Sequence, residues 1–573
     1  FGSSCLSALL CQIANSCQRS FCKMRMNFLA FASFVCACCG RRVQTWEEHG
    51  MQVLGAGFGE ACASHDCRFT RYRSACASEA EHQDVGALAR PLLGVSPATA
   101  WQAPGLGRLH RAEPHRASRS AAVMRPADNS ATDPGKEQQS SGVVQLEKLE
   151  PGMLDKKKER NRIMKQKKYK RGAAPFDNEI HKSVSEKMSQ VFYSDQMKKM
   201  EDGRMQEITK GEGDRAITFQ LAKQYGFCWG VERSIELAWA ARDAYPDKSM
   251  HITNELIHNP KVNDMLTDMD VNIIEQTAEG KRFGDIEDGD VVILPAFGAS
   301  LEEMRMLDGR GVTVVDTTCP WVSKVWMTVD KHAKNDMTSV IHGKWNHEES
   351  IATASMAQHY IIVKNMEEAQ EIAAYIMGEE GALTDEQLLE KYKNAVSKGF
   401  DPKKHLKKIG LANQTTMYKK ETQAIGRVLE KAVIHAYGPE YAAQNFVAFD
   451  TICDATQERQ DAVSEMSDSE VAKDLDFILV IGGWDSSNTG HLLEIPVHAG
   501  LTAYHIHLPS DISPDGSITH RTVDGEIVTT PSFLPMDRPV RVGVTSGAST
   551  PDSVVEECLE QLTLLKSLAP ADA

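Results

Sequence analysis

The sequence predicts an α/β protein made of small units with mostly parallel sheets. Three observations lead there. From about residue 216 to 566, short apolar runs that read as strands alternate with stretches at helical spacing. Cys228, Cys319, Cys453 and two Ser-rich turns fall at the joints between them, where parallel sheets gather their ligands. The chain has 573 residues, 42% of them hydrophobic, enough for roughly three or four domains and a core that needs no disulfide to fold.

The elements follow in order. Ile217–Leu221 alternates like a strand and leads to Tyr225-Gly226-Phe227-Cys228. A helix follows, with Val231, Ile235, Ala238 and Trp239 on one face. A short strand around Met250–Thr253 precedes Asn259-Pro260, an N-cap and first-turn pair, and a second helix. Val312–Asp316 runs into Thr317-Thr318-Cys319-Pro320, and Val322, Val325, Trp326 and Val329 then recur at helical spacing. Phe446–Asp450 leads through Thr451-Ile452-Cys453 to a polar helix from about Thr456. Phe477–Gly483 leads to Ser486-Ser487-Asn488. Val540–Thr545 leads to Gly547-Ala548-Ser549-Thr550-Pro551 and a final helix.

The region before this body differs in composition. Ten of the 14 cysteines lie between Cys5 and Cys76. Residues 1–120 carry a local charge of +5, so the rest of the chain holds −20 of the net −15. Lys23 and Arg25 precede a twelve-residue apolar run from Phe28 to Cys39, and Arg-containing, acid-poor sequence follows. That pattern suits a two-part targeting leader over 1–140 that addresses a plastid and is absent from the mature protein, rather than a disulfide scaffold. No run of 18 or more apolar residues occurs, as a spanning helix would need, so no stable membrane association is expected. Residues 141–215 read as a linker and basic extension, with ten basic residues and one acid in Lys156–Arg171. A solvated arm is the expectation there; RNA or an acidic partner is the alternative. The net negative charge argues against a nucleic-acid binder as a whole.

Cys228, Cys319 and Cys453 are 91 and 134 residues apart, with no CxxC pair, which disfavours structural zinc. Three thiolates from equivalent joints would suit one cubane iron–sulfur cluster with an open iron; three unrelated buried thiols remain the alternative. Cys558 sits among Val554, Val555 and Leu562 and reads as core. Ser486, Ser487, Asn488 and Ser549 offer donors at helix N-termini, a site for an anion. His258 and His347 are placed to add charge-assisted bonds, and Glu349 is a candidate proton donor if its site raises its pKa.

Taken together, GFCWGVERSIELA (226–238), NELIHNPKVN (254–263), LPAFGAS (294–300), VDTTCPWVSKVW (315–326), VIHGKWNHEESIATAS (340–355), ANQTTM (412–417), TICDATQERQDAV (451–463), IGGWDSSNTGHLLEI (481–495) and VGVTSGASTPDSVVEE (542–557) closely resemble the 4-hydroxy-3-methylbut-2-enyl diphosphate reductase family, in its plant and cyanobacterial branch. The resemblance implies three small α/β units around a central [4Fe–4S] cluster, one per chain, held by Cys228, Cys319 and Cys453. It places His258, His347, Thr415, Ser486, Ser487, Asn488 and Ser549 at the diphosphate substrate and Glu349 on the proton path. The implied reaction is two-electron reductive dehydroxylation to isopentenyl and dimethylallyl diphosphate. The approximate units are 216–318, 319–449 and 450–566, with a tail at 567–573. Many bacterial members have a His where this chain has Phe297, which leaves one diphosphate contact without a donor. The segment from about 376 to 406 is long for the family and is expected as a surface insertion. No GxGxxG follows a strand, so a ferredoxin-like donor is expected rather than a bound nicotinamide. A monomer is expected. An iron–sulfur sensor or electron-transfer module is the competing class, and in it Ser486, Ser487, Asn488, His347 and Glu349 would be idle.

Overall fold

The computed structural model describes residues 146, 148, 149, 152, 154–172, 175–197, 205–277 and 280–568. The ten early cysteines and the expected leader lie outside them.

Three sheets carry the body. A five-stranded, all-parallel sheet runs Tyr169–Lys170, Thr313–Asp316, Val291–Leu294, Met250–Ile252, Val271–Ile273. A four-stranded, all-parallel sheet runs Tyr360–Val363, Thr338–His342, Ile409–Asn413, Phe446–Ala448. The third, of seven strands, is parallel through Ala503–Ile506, Phe477–Ile481, Val540–Ser546 and Ile217–Leu221 and antiparallel toward both edges. The central strands are buried on both faces, as Val291–Leu294 and Phe477–Ile481 illustrate, because helices cover both sides of parallel sheets. Each fully buried Ile or Val contributes about 1.5–3 kcal/mol relative to exposure.

Register matters for function. Leu294 pairs with Asp316, His342 with Asn413, and Ile481 with Ser546. The carboxyl ends of these paired strands are therefore level, and every candidate site residue lies in the joint or first helical turn after a strand of one of the three sheets. Asn259 caps the helix Pro260–Asp268 by accepting from the Val262 N–H, with Pro260 in the first turn, as the dipeptide predicts. No helix among the described residues is long and apolar enough to cross a membrane.

Three expectations need correcting. Ile217–Leu221 heads the segment 216–318, yet it pairs with Val540–Ser546 in the seven-stranded sheet, so the units do not follow one another simply along the chain. Residues 141–215 are not a linker where they are described. Gln206–Lys210 forms an edge strand of the seven-stranded sheet and Tyr169–Lys170 an edge of the five-stranded one. The helix Asn178–Phe192 buries Val184, Met188 and Phe192, with Phe192 against Phe227 and Trp239. Nor is the basic stretch wholly solvated. Arg160 is buried and donates to Asp330 at 2.6 Å, Lys156 donates to the Ala357 carbonyl at 2.6 Å, and Arg162 pairs with Asp308 at 2.8 Å. Acids on the body neutralise that side of the helix and draw it in. The 376–406 segment likewise buries Leu388, Tyr392 and Phe400, and Val396 bridges Ile361 at the edge of the four-stranded sheet.

Candidate functional site

Cys228, Cys319 and Cys453 are each the N-cap of a helix: Trp229–Ala244, Pro320–Lys334 and Asp454–Met466. Each is anchored by its own main-chain N–H to a loop from a neighbouring strand end. Cys228 donates to the Ala548 carbonyl at 3.0 Å, Cys319 to Ala296 at 3.0 Å and Cys453 to Thr415 at 3.2 Å. The helix N-termini favour thiolate, and first-turn N–H groups of Trp321 and Val322 act on Cys319 in that sense. Burial wins in the free protein, pushing Cys319 up to about 11 and Cys453 up to about 12, each thiol also feeling Cys228.

Gly230 clears the space between sulfurs. A Cβ there would stand 2.6 Å from Cys319 Sγ and 3.9 Å from Cys228 Sγ. Three convergent thiols at helix N-termini, beside a glycine that no larger residue can replace without contact, fit a thiolate-bound iron–sulfur group. Arg459 adds a cation on this floor. It is 2% exposed, donates to the carbonyls of Gly226 and Ala455, and feels Cys228 and Cys453.

The polar residues form a rim connected to the cysteine loops. Ser549 donates through Oγ to the His258 carbonyl at 3.2 Å, and Asn488 Oδ1 accepts from the Ala548 N–H at 2.9 Å. Ser486 caps the helix Ser487–His498 by accepting from Thr489. The rings of His258 and His347 meet edge to face at 5.5 Å, and Phe297 stacks on His258 at 4.4 Å. His258 Nδ1 lies 3.2 Å from Glu255. His258 Nε2, Ser487 Oγ and Asn488 Nδ2 are buried with no hydrogen-bond partner among the described residues. Such groups cost about 1–3 kcal/mol each if left unpaired, so this rim is preset for a polar ligand.

Glu349 is 3% exposed and faces Thr415, whose main-chain N–H reaches Oε1 at 2.7 Å and whose hydroxyl reaches Oε2 at 2.9 Å. Burial pushes its carboxyl up to about 7, against the lowering effect of Thr415. His347 Nδ1 accepts from the Glu349 N–H at 3.1 Å. Burial and the neighbouring His258 push His347 down to about 3, so its neutral ring carries the proton on Nε2. These contacts join Glu349, Thr415, His347, His258, Ser549, Asn488 and the cysteine loops, with Ser486 and Ser487 beside Asn488 at the start of its helix.

The family model for "LytB protein" matches residues 219–563. The chain belongs to the LytB family. Curated LytB relatives include the chloroplastic 4-hydroxy-3-methylbut-2-enyl diphosphate reductase of Botryococcus braunii, 53% identical over 60% of this chain and 68% of that protein. The enzyme of the same name from Crocosphaera subtropica is 51% identical over 61% of this chain and 85% of its own. A solved Plasmodium falciparum E-1-hydroxy-2-methyl-but-2-enyl-4-diphosphate reductase is similar at 22% identity with a TM-score of 0.44, over 60% of this chain and 87% of that one.

Sequence reasoning missed four features of this LytB site. Arg459 lies in a charged helix that reads as a solvated face. Gly230 looks like an ordinary helix residue. Gln414, 1% exposed, ties the His347 loop to the Thr415 loop by accepting from the Lys344 N–H and the Ser350 hydroxyl. Phe297 registered only as a missing donor, whereas it packs on the His258 ring. The signal for Arg459 was its place six residues after Cys453, under two turns along one helix.

Proposed function

We propose that this chain reduces 4-hydroxy-3-methylbut-2-enyl diphosphate to isopentenyl and dimethylallyl diphosphate, as an oxidoreductase of the terminal step of the methylerythritol phosphate route. The observation that carries this reading is the conjunction of three N-cap cysteines with a buried Glu349 and an unsatisfied anion rim in one network. Cys228, Cys319 and Cys453 would hold one [4Fe–4S] cluster, which supplies electrons singly.

The chain's own residues do the rest. His258 Nε2, Ser487 Oγ and Asn488 Nδ2 have no hydrogen-bond partner among the described residues, Glu348 lying 3.7 Å from His258 Nε2; diphosphate oxygens would pair all three, with Ser486, Ser549, Thr415 and His347 completing the contacts. His347, neutral and protonated on Nε2, donates without adding a buried charge. Phe297 fills the space beside His258 and keeps water off that ring. Glu349, raised to about 7, carries a proton near neutrality and passes it from its carboxyl to the departing hydroxyl oxygen. Thr415 then stabilises the carboxylate through both of its donors. Overall, one allylic alcohol, two electrons and two protons give the alkene and water.

Electrons come from a ferredoxin-like protein, and residues 1–140 act as a plastid-targeting leader; the chloroplastic relative supports that address. A monomer without nucleic-acid partners completes the reading. Anaerobic purification with iron and sulfide analysis, followed by turnover of the diphosphate with dithionite and a viologen, tests it. A colourless protein holding zinc and inactive under those conditions rejects it.

A further inference from the structure

The reductase reading leaves the basic stretch Lys156–Arg171 without a task. Its position beside one cysteine helix gives it one. The helix Pro320–Lys334, capped by Cys319, holds a single acid, Asp330, and that acid is buried. Its outer face presents Trp321, Lys324, Met327, Lys331 and Lys334, of which all but the half-buried Trp321 are exposed. Lys324 stands over the Trp321 ring at 5.8 Å and Lys331 over Phe449 at 4.7 Å, so both ammonium groups lie along apolar surface, with no acid paired to them among the described residues.

The basic stretch runs along the flank of this helix. Arg160 and Lys157 reach Asp330 at 2.6 and 3.6 Å, Arg160 lies over Trp326, and Arg171 donates to Ser323 Oγ at 2.6 Å. Ser323 and Asp330 are i, i+4 neighbours of Met327 and Lys334, so the stretch borders the lysine face. On its outer side Lys158, Lys165 and Lys167 are exposed, with no ion pair among the described residues. The Cys453 helix, by contrast, opens with exposed Asp454 and Glu458. The Cys319 helix, in a chain whose net charge is −15, thus presents exposed lysines and no exposed acid. Near the sulfurs, Trp229 follows Cys228 and is 63% exposed, an apolar anchor of the kind that centres interfaces.

We propose that the face formed by the Cys319 helix and the Lys156–Arg171 stretch docks an acidic one-electron carrier protein. The inference rests on the reductase reading, in which two electrons must arrive singly from outside. The carrier is oxidised by one electron per encounter, two encounters serve one turnover, and the two protons come from solvent by way of the site. Carboxylates on the carrier meet Lys324, Lys331 and Lys334, while Trp229 and Trp321 supply contact next to two of the thiols. Long-range attraction of this kind speeds association and is weakened by salt.

The test uses the anaerobic holoprotein, a plant-type [2Fe–2S] ferredoxin of net negative charge as carrier, and methyl viologen as a small reductant. Two charge-reversed variants, K324E/K331E/K334E and K158E/K165E/K167E, are compared with the parent. Expected is a rise in KM for the carrier of about tenfold and a lost salt dependence, with viologen turnover and iron content unchanged. An unchanged KM, or equal losses with both reductants, overturns the proposal. So does loss of RNA retention with the carrier KM intact, which would assign the face to nucleic acid. If the parent itself fails with viologen, the reductase reading falls. Calorimetric titration of carrier into holoprotein then decides the docking separately, and salt-insensitive or absent binding rejects it.

Discussion

Thr415 grips Glu349 with two donors, its main-chain N–H at 2.7 Å and its hydroxyl at 2.9 Å. Both bonds favour the carboxylate, while burial favours the acid and sets the group at about 7. Removing the hydroxyl by Thr415→Val takes away one bond to the charged form, so the folded pKa rises. The alkaline limb of the kcat profile should move up by roughly one pH unit. Glu349→Gln should leave the cluster spectrum unchanged and nearly abolish turnover. A limb that stays in place in Thr415→Val assigns it to another group.

Gly230 offers a test that does not depend on turnover. Its replacement by Ala puts a methyl 2.6 Å from Cys319 Sγ, while Ala suits the helix interior better than Gly. The expected result is an undiminished melting temperature of the iron-free protein and iron affinity reduced by roughly tenfold or more. Full iron and sulfide content in Gly230→Ala would show that the sulfurs do not need that space.

His332, His342 and His505 are buried, and burial pushes each down to about 4. The unfolded chain takes up protons near pH 6.5, the folded one only near 4, so stability is complete above 6.5 and is lost as pH falls between those values. Each group contributes a slope of up to about 1.4 kcal/mol per pH unit. Melting temperatures measured from pH 7.5 to 4 should fall steeply below 6.5. The His332→Gln variant should show a shallower fall, and an equal slope would remove His332 from the account.

Arg160 and Asp330 form a buried pair that fastens the N-terminal segment to the Cys319 helix. Arg160→Met leaves Asp330, among the described residues, with Lys157 alone at 3.6 Å and should cost about 3 kcal/mol. The double variant Arg160→Met/Asp330→Leu should recover much of that, because no charge is then stranded. Denaturant unfolding of the single and double variants distinguishes the outcomes; equal losses would mean that the pair itself is the stabilising element.

The parts of the fold legible in sequence are those with a punctuated joint. Ile217–Leu221 and Phe477–Ile481 are bounded by turn residues and read correctly. The strands Thr338–His342 and Ile409–Asn413 did not stand out, because Ser339 and His342 in one and Gly410 and Asn413 in the other break the apolar run, so neither alternation nor a continuous apolar stretch marks them. The cysteines were legible because each lies in the joint after a strand and caps the helix that follows. Arg459 was not: only the fold places a guanidinium from a charged helix against the Gly226 carbonyl, 233 positions away. The partner of Ile217–Leu221 was equally hidden, since nothing local announces a strand more than three hundred residues downstream.

That last pairing sets an order of events during synthesis. Ile217–Leu221 and the loop holding Cys228 leave the ribosome more than three hundred residues before Val540–Ser546 and Ala548, which seat them. Contacts so distant along the chain form late. A nascent chain therefore exposes Cys228 without its support until Val540–Ala548 has emerged, and the three thiols come together only then. Loading of iron and sulfide thus waits for that segment, and truncation after residue 539 should abolish it entirely.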